Sequence, residues 1–167
     1  MRFLHSHKTL DPEHQETLSR SFFQGRAGKE VQHCIQCGTC SGSCPLAHEM
    51  DLGPRRILAL LRDGFLAEVL GSRSIWMCVS CNACLTRCPQ GVPVSDIMYA
   101  LRVMSLEHNL ARREFKMPDV YRGFVRQVEK RGRVSESRLA AGYGLLHPSD
   151  MPGRLSLALR LLRRRRI

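Results

Sequence analysis

Aromatic residues make up only 6% of this 167-residue sequence, and tryptophan occurs once. That shortage argues against a β-sandwich and suits a small helical protein whose core is built from Leu, Ile, Val and Met. Long apolar runs are also missing. Arg or Asp interrupts every candidate before the roughly 20 residues a membrane-spanning helix needs, so the chain is not expected to span a bilayer. The opening stretch MRFLHSHKTLDPEHQ has no apolar block of signal-peptide length, which predicts a cytoplasmic location and reduced thiols. The length suits one compact domain with loosely attached ends.

Lysine is scarce as well: Arg supplies 22 of the 26 basic residues, and the formal net charge is +11. Such a balance invites an anionic partner. No RNA-binding signature, zinc finger or interleaving of aromatic with basic residues accompanies it, so nucleic-acid binding is a minor expectation. The last stretch, GRLSLALRLLRRRRI, places Leu155, Leu159 and Leu162 on one possible helical face before four consecutive arginines. A segment of that kind can dock on an acidic partner or rest peripherally on an anionic membrane surface, and it can equally be a solvated tail.

No cysteine lies outside two short runs, CIQCGTCSGSCP and CVSCNACLTRCP. The first holds Cys34, Cys37, Cys40 and Cys44, the second Cys78, Cys81, Cys84 and Cys88, so one C-x2-C-x2-C-x3-C-P pattern recurs at an offset of 44 residues. Structural zinc prefers two pairs of ligands separated by a longer loop, and a disulfide framework needs an oxidising compartment. Buried structural cysteines would not repeat in register. Thiols two residues apart let a tight loop wrap three corners of an iron–sulfur cubane, and two 4Fe-4S clusters are the cofactors expected. Bound to eight thiolates, they would bring the net charge to roughly +7.

The pattern resembles that of two-cluster ferredoxins, in which the fourth Cys of each run, followed by Pro, ligates the cluster of the other run. That resemblance implies Cys34, Cys37, Cys40 and Cys88 for cluster one, and Cys78, Cys81, Cys84 and Cys44 for cluster two. Pro45 and Pro89 follow the fourth cysteines and redirect the chain there. His33 and His48 flank the first run but are expected to face solvent or a hydrogen-bonding neighbour. Gly38 and Gly42 are candidates for turns around cluster one. Thr39, Ser41, Ser43, Asn82 and Thr86 are candidate hydrogen-bond partners of cluster sulfurs, although turn capping selects the same residue types.

The 33 residues between Cys44 and Cys78 read as helix. Pro54 suits a first helical position, Ile57, Leu58, Leu60 and Leu61 supply an apolar side, and Asp63-Gly64 stops it. A short turn of helix is expected over 65–70. After the second run, Ser95 is a candidate cap for a helix carrying Asp96, Ile97, Leu101 and Met104 and ending near Asn109. Tyr121, Phe124, Val125 and Val128 mark an amphipathic helix after Pro118, closed by Gly132. A weaker helix precedes His33. Trp76 is placed either against cluster two or in the core, and Met77, Met98, Met104 and Met117 as core fillers. The expected fold is therefore all-α: an α-helical ferredoxin domain over 28–110 with two cluster-binding loops, a partly helical extension over 1–27, and a helical extension with a basic tail over 111–167.

The segments CIQCGTCSGSCP and SIWMCVSCNACLTRCPQGVPVSDIMYALR, followed by GFVRQVEKRGRVSES, resemble the C-type subunit of heterodisulfide reductases and of the similar complexes of sulfur-oxidising bacteria. The resemblance implies a relay that passes electrons between a flavin-containing A-type subunit and a catalytic B-type subunit with CCG motifs. This sequence has no CCG pair and no spare cysteine, so no catalytic residue and no directly bound small-molecule substrate are expected in it. The excess of Arg over Lys leans towards a GC-rich bacterial genome, and so towards sulfur oxidation. An alternative is the iron–sulfur subunit of a fumarate reductase or glycolate oxidase type enzyme. A third, of another class, is a nucleic-acid-binding protein with structural clusters.

Overall fold

The insertion between the cysteine runs folds as its periodicity predicts. Pro54 opens helix α4 (Pro54–Arg62), and Ile57, Leu58 and Leu61 are buried on one side of it. Full burial of each such side chain contributes about 1.5–3 kcal/mol. Leu60 is a correction: it sits at the margin of that face and is only partly covered. Gly64, at φ 83°, takes the left-handed conformation that ends the helix.

The structure, a computed structural model, describes residues 11–112, 114–150, 160, 163 and 164. Among these there is helix but no strand, so the all-α fold holds. Leu155, Leu159 and Leu162 of the basic C-terminal stretch lie outside the described residues. No described helix is long and apolar enough to cross a membrane.

Two compact units divide between Phe115 and Lys116. The first holds α1 (Pro12–Gln24), α2 (Arg26–Val31), α3 (Thr39–Ser43), α4, α5 (Leu66–Leu70), α6 (Ser74–Met77), α7 (Ala83–Thr86) and α8 (Val94–Glu107). Helix α8 runs beside α2, α5, α6 and α7. Its Ile97, Met98 and Leu101 meet Val31, Leu66, Val69, Leu70 and Ile75 in a core where none is more than 1% exposed. The segment expected as an N-terminal extension contributes α1 to this unit, with Leu18 and Phe22 buried. Helix α2 follows after the single residue Gly25 and folds back on α1. The Cβ that Gly28 lacks would fall 2.3 Å from the Phe22 carbonyl oxygen and 2.5 Å from Phe23 Cα, so only glycine permits this approach.

Ser95 does not cap α8. The helix begins at Val94 after Pro93, two residues earlier than such a cap would set, and the buried Ser95 hydroxyl donates to Asn82 Oδ1 in the second cysteine loop. Of the methionines expected in the core, Met98 is buried, Met77 and Met104 are half-buried, and Met117 is 45% exposed.

The second unit holds α9 (Met117–Arg131), α10 (Glu136–Leu146) and a 3-10 turn at Pro148–Asp150. Gly132, at φ 67°, closes α9 where expected. Asp150 accepts from Lys116 Nζ at 2.6 Å and from the Tyr143 hydroxyl at 2.7 Å, and His147 Nε2 lies 3.1 Å from Asp119 Oδ2. Phe124, Val125 and Val128 of α9 remain exposed, so its apolar positions do not form a core face.

Candidate metal centre

The two cysteine runs fold as copies of each other. Gln36 and Gly38 have φ of 58° and 83°, and their counterparts 44 residues on, Ser80 and Asn82, have 53° and 60°. Non-glycine residues rarely adopt this left-handed form, and its recurrence at matching positions shows that both loops make the same tight turns. A short helix then follows in each copy, α3 from Thr39 and α7 from Ala83, and the two pack together. Gly42 lies within α3 with open space around it, so of the two glycines proposed for turns only Gly38 needs its conformational freedom.

Four thiols line each of two hollows. Cys34, Cys37, Cys40 and Cys88 line one of about 330 Å3, counting space open to solvent. Cys44, Cys78, Cys81 and Cys84 line the other, of about 410 Å3. Each hollow thus takes three thiols from one run and the fourth from the other run. Among the described residues, no three Cys, His, Asp or Glu side chains close on a point as the ligands of one ion would. The thiols surround a space instead, which suits a multi-atom group, and four thiols per hollow match the requirement of a 4Fe-4S cluster. The residues present therefore fit that cofactor.

Val94, 2% exposed, lines both hollows. The walls differ. The Cys44 side is apolar, with Leu46, Met50, Pro54 and Met98, and its polar neighbours are the uncharged Asn82 and Ser95. Trp76 is 4% exposed but does not line this hollow, so its place is in the core. The Cys34 side includes Thr39, Gln90 and Arg55.

Hydrogen bonds to sulfur are also unequal. Gln36 Nε2 donates to Cys34 Sγ at 3.4 Å, Thr39 Oγ1 lies 3.4 Å from Cys37 Sγ, and the Val92 amide donates to Cys88 Sγ at 3.3 Å. Of the five residues expected to touch sulfur, only Thr39 does so through its side chain. The Ser41 hydroxyl accepts from the Arg55 amide, Ser43 and Thr86 turn back to carbonyls of their own helices, and Asn82 accepts from Ser95. His33 and His48 are exposed beside Glu30 and Glu49, and neither lines a hollow.

Three of the thiols are shifted by their surroundings. Burial raises the pKa of Cys40, assisted by the charge of Cys34 and to a smaller degree by Cys84 across the divide. Burial likewise raises Cys84, with Cys78 adding to it. Fully exposed Cys37 is lowered by the hydrogen bond with Thr39. Cluster iron would offset the repulsion among clustered thiolates.

Residues that the sequence did not advertise hold the loops in place. Arg62 Nη1 donates to the Cys34 carbonyl at 2.7 Å, and Arg102 Nη2 donates to the Cys78 carbonyl at 2.9 Å, so the first cysteine of each run is tied by an arginine from a distant helix. Asp51 accepts from the amides of Arg73 at 2.9 Å and Ser74 at 3.0 Å and from the Ser74 hydroxyl, capping α6 just before Cys78. Burial opposes its charge, but these hydrogen bonds prevail and hold its pKa below the usual carboxylate value. An arginine isolated in an otherwise apolar helical face, as Arg102 is in α8, is the one sequence signal that could have been followed.

The fold and the paired thiol loops agree with the family comparison: residues 30–92 match the model of the 4Fe-4S dicluster domain. Its homologues at 29–38% identity are named as the C-type subunit of heterodisulfide reductases. The C-type iron-sulfur subunit of the CoB–CoM heterodisulfide reductase of Methanopyrus kandleri is 36% identical over 128 residues, 75% of this chain and 64% of the relative. The C-type subunit of the ferredoxin:CoB-CoM heterodisulfide reductase of Methanosarcina mazei is 38% identical over 119 residues, 71% of this chain and 63% of the relative. The C-type subunit of the H2:CoB-CoM heterodisulfide, ferredoxin reductase of Methanothermobacter thermautotrophicus is 29% identical over 147 residues, 84% and 74% of the two lengths. The chain spans just under two thirds of the first two of these relatives.

Proposed function

We propose that this chain is an iron–sulfur electron-transfer subunit of a heterodisulfide reductase-like complex, holding two 4Fe-4S clusters. Cys34, Cys37, Cys40 and Cys88 hold one, and Cys78, Cys81, Cys84 and Cys44 hold the other. The observation that carries this reading is the lining of the two hollows, each with four thiols drawn from both runs. The clusters supply one-electron chemistry when bound. The protein's own part is to fix their ligands, to exclude water with Val94, Met98, Leu46 and Pro54, and to place the two sites next to each other, with Val94 in the wall of both. The names of the relatives support partners within a multi-subunit complex. We assign the neighbours as a flavin-containing A-type subunit and a CCG-bearing B-type subunit, with disulfide reduction or sulfur oxidation carried out on the latter, in the cytoplasm.

The ligand exchange between runs gives the test. Cys44→Ser should damage the cluster otherwise held by the second run, and Cys88→Ser the one held by the first. Anaerobic iron and sulfide analysis should find about eight of each per wild-type chain, and paramagnetic resonance should show which signal each variant loses. Loss of the same-run cluster in each variant would overturn the assignment, and zinc in place of iron would overturn the function.

A further inference from the structure

We propose that the two cluster sites are electrically unequal by construction, and that the hollow of Cys34, Cys37, Cys40 and Cys88 is the one that takes an electron first. The inference rests on the relay reading above and adds to it an order of filling. Reduction adds one negative charge to a site, with no bond made or broken, so any group that stabilises negative charge on the thiolate sulfurs raises the potential there. Hydrogen bonds to the sulfurs and nearby positive charge both act in this way.

Matching the loops residue by residue, at the offset of 44, separates what is shared from what is not. Arg62 on the Cys34 carbonyl has its counterpart in Arg102 on the Cys78 carbonyl. Most of the groups left over fall on one side; the exception is the amide of Cys84, which bonds its own sulfur at the other site. Gln36 donates to Cys34 Sγ, whereas Ser80 in its place makes no such bond. Thr39 pairs with Cys37 Sγ, whereas Ala83 in its place has no hydroxyl. The Val92 amide donates to Cys88 Sγ. Arg55 lines the same hollow, with its Cδ 3.5 Å from where a Gly38 Cβ would lie, and among the described residues no charged side chain lines the other. Arg102 also works in the opposite sense: at 6% exposed it is less screened than the exposed Arg62. Three sulfur hydrogen bonds and a lining guanidinium outweigh that difference in burial.

Gln36, Thr39 and Arg55 are therefore positioning residues for charge at one site, and a redox titration reads them directly. The full chain, loaded with its clusters, is titrated with dithionite and mediators and followed by paramagnetic resonance. Arg55→Gln should make the higher-potential couple about tenfold harder to reduce, ~59 mV for one electron, with a smaller movement of the lower couple. Thr39→Val, which is isosteric, should move the same couple in the same direction, and it decides alone if Arg55→Gln fails to load. Larger movement of the lower couple would show that Arg102 prevails and would overturn the order, as would no movement of either couple. Both results leave two working clusters in place. A chain that binds no iron or sulfide would instead overturn the relay reading, and this inference with it.

Discussion

Replacing Arg102 with Met tests whether the buried arginine anchors the second cysteine loop. Methionine keeps most of the apolar stem in place, so the change isolates the guanidinium. In α8 that group is 6% exposed and donates to the Cys78 carbonyl at 2.9 Å. A hydrogen bond from a charged donor contributes about 1.5–3 kcal/mol, and the carbonyl left behind in the interior keeps its desolvation cost. For a chain of this size each kcal/mol moves the thermal midpoint by about 2–4 °C, so Arg102→Met should lower it by about 3–12 °C. The parallel change Arg62→Met removes a bond of 2.7 Å to the equivalent carbonyl, but from an exposed side chain. Water replaces that donor, and the loss should be below about 1 kcal/mol. Anaerobic thermal unfolding followed through Trp76, the sole tryptophan and a core residue of the first unit, measures both. Equal losses, or a larger loss at Arg62, would refute the claim that burial decides the value of these two contacts.

Gly28→Ala should cost about 1–3 kcal/mol, because its methyl group meets backbone that cannot rotate away. Gly42→Ala, within α3 and with open space around it, should instead stabilise by about 0.4–1 kcal/mol and raise the denaturant midpoint. Asp51→Asn should be destabilising by about 1 kcal/mol through the weakened cap on α6. Because the folded-state pKa of Asp51 lies below its unfolded value, its contribution is complete above about pH 4 and is lost as pH falls through the folded pKa. The gap between wild type and variant should therefore be constant from neutral pH to about pH 5 and close only in stronger acid. A gap that widened on acidification would contradict the assignment.

Local signals carried most of what the sequence revealed. Pro54 opened α4 and Asp63-Gly64 closed it because both act through their own backbone dihedrals, and Ile57, Leu58 and Leu61 announced the buried face by spacing alone. The repeated turn of the two cysteine runs was legible for the same reason: their spacing is a property of one loop at a time. What escaped depends on pairs far apart in the chain. Arg102 and Cys78 are 24 residues apart, and Asp51 and Ser74 are 23, so neither residue looks unusual in its own neighbourhood. Ser95 had the right chemistry for a cap, but the fold offered its hydroxyl a tertiary partner in Asn82. Of the two places open to Trp76, α6 turns it into the core, and the apolar positions of α9 proclaimed a face that its own unit leaves exposed.

The first residue of α8 is common to both thiol-lined hollows. An isopropyl group thus stands where two chambers share a partition, and neither chamber can be enlarged at that point without taking room from the other. A bulkier side chain at position 94 would crowd both tenants at once, and a smaller one would thin the divide for both. Adjusting one chamber alone must be done from its outer walls, where Arg55 stands on one side and Met98 on the other.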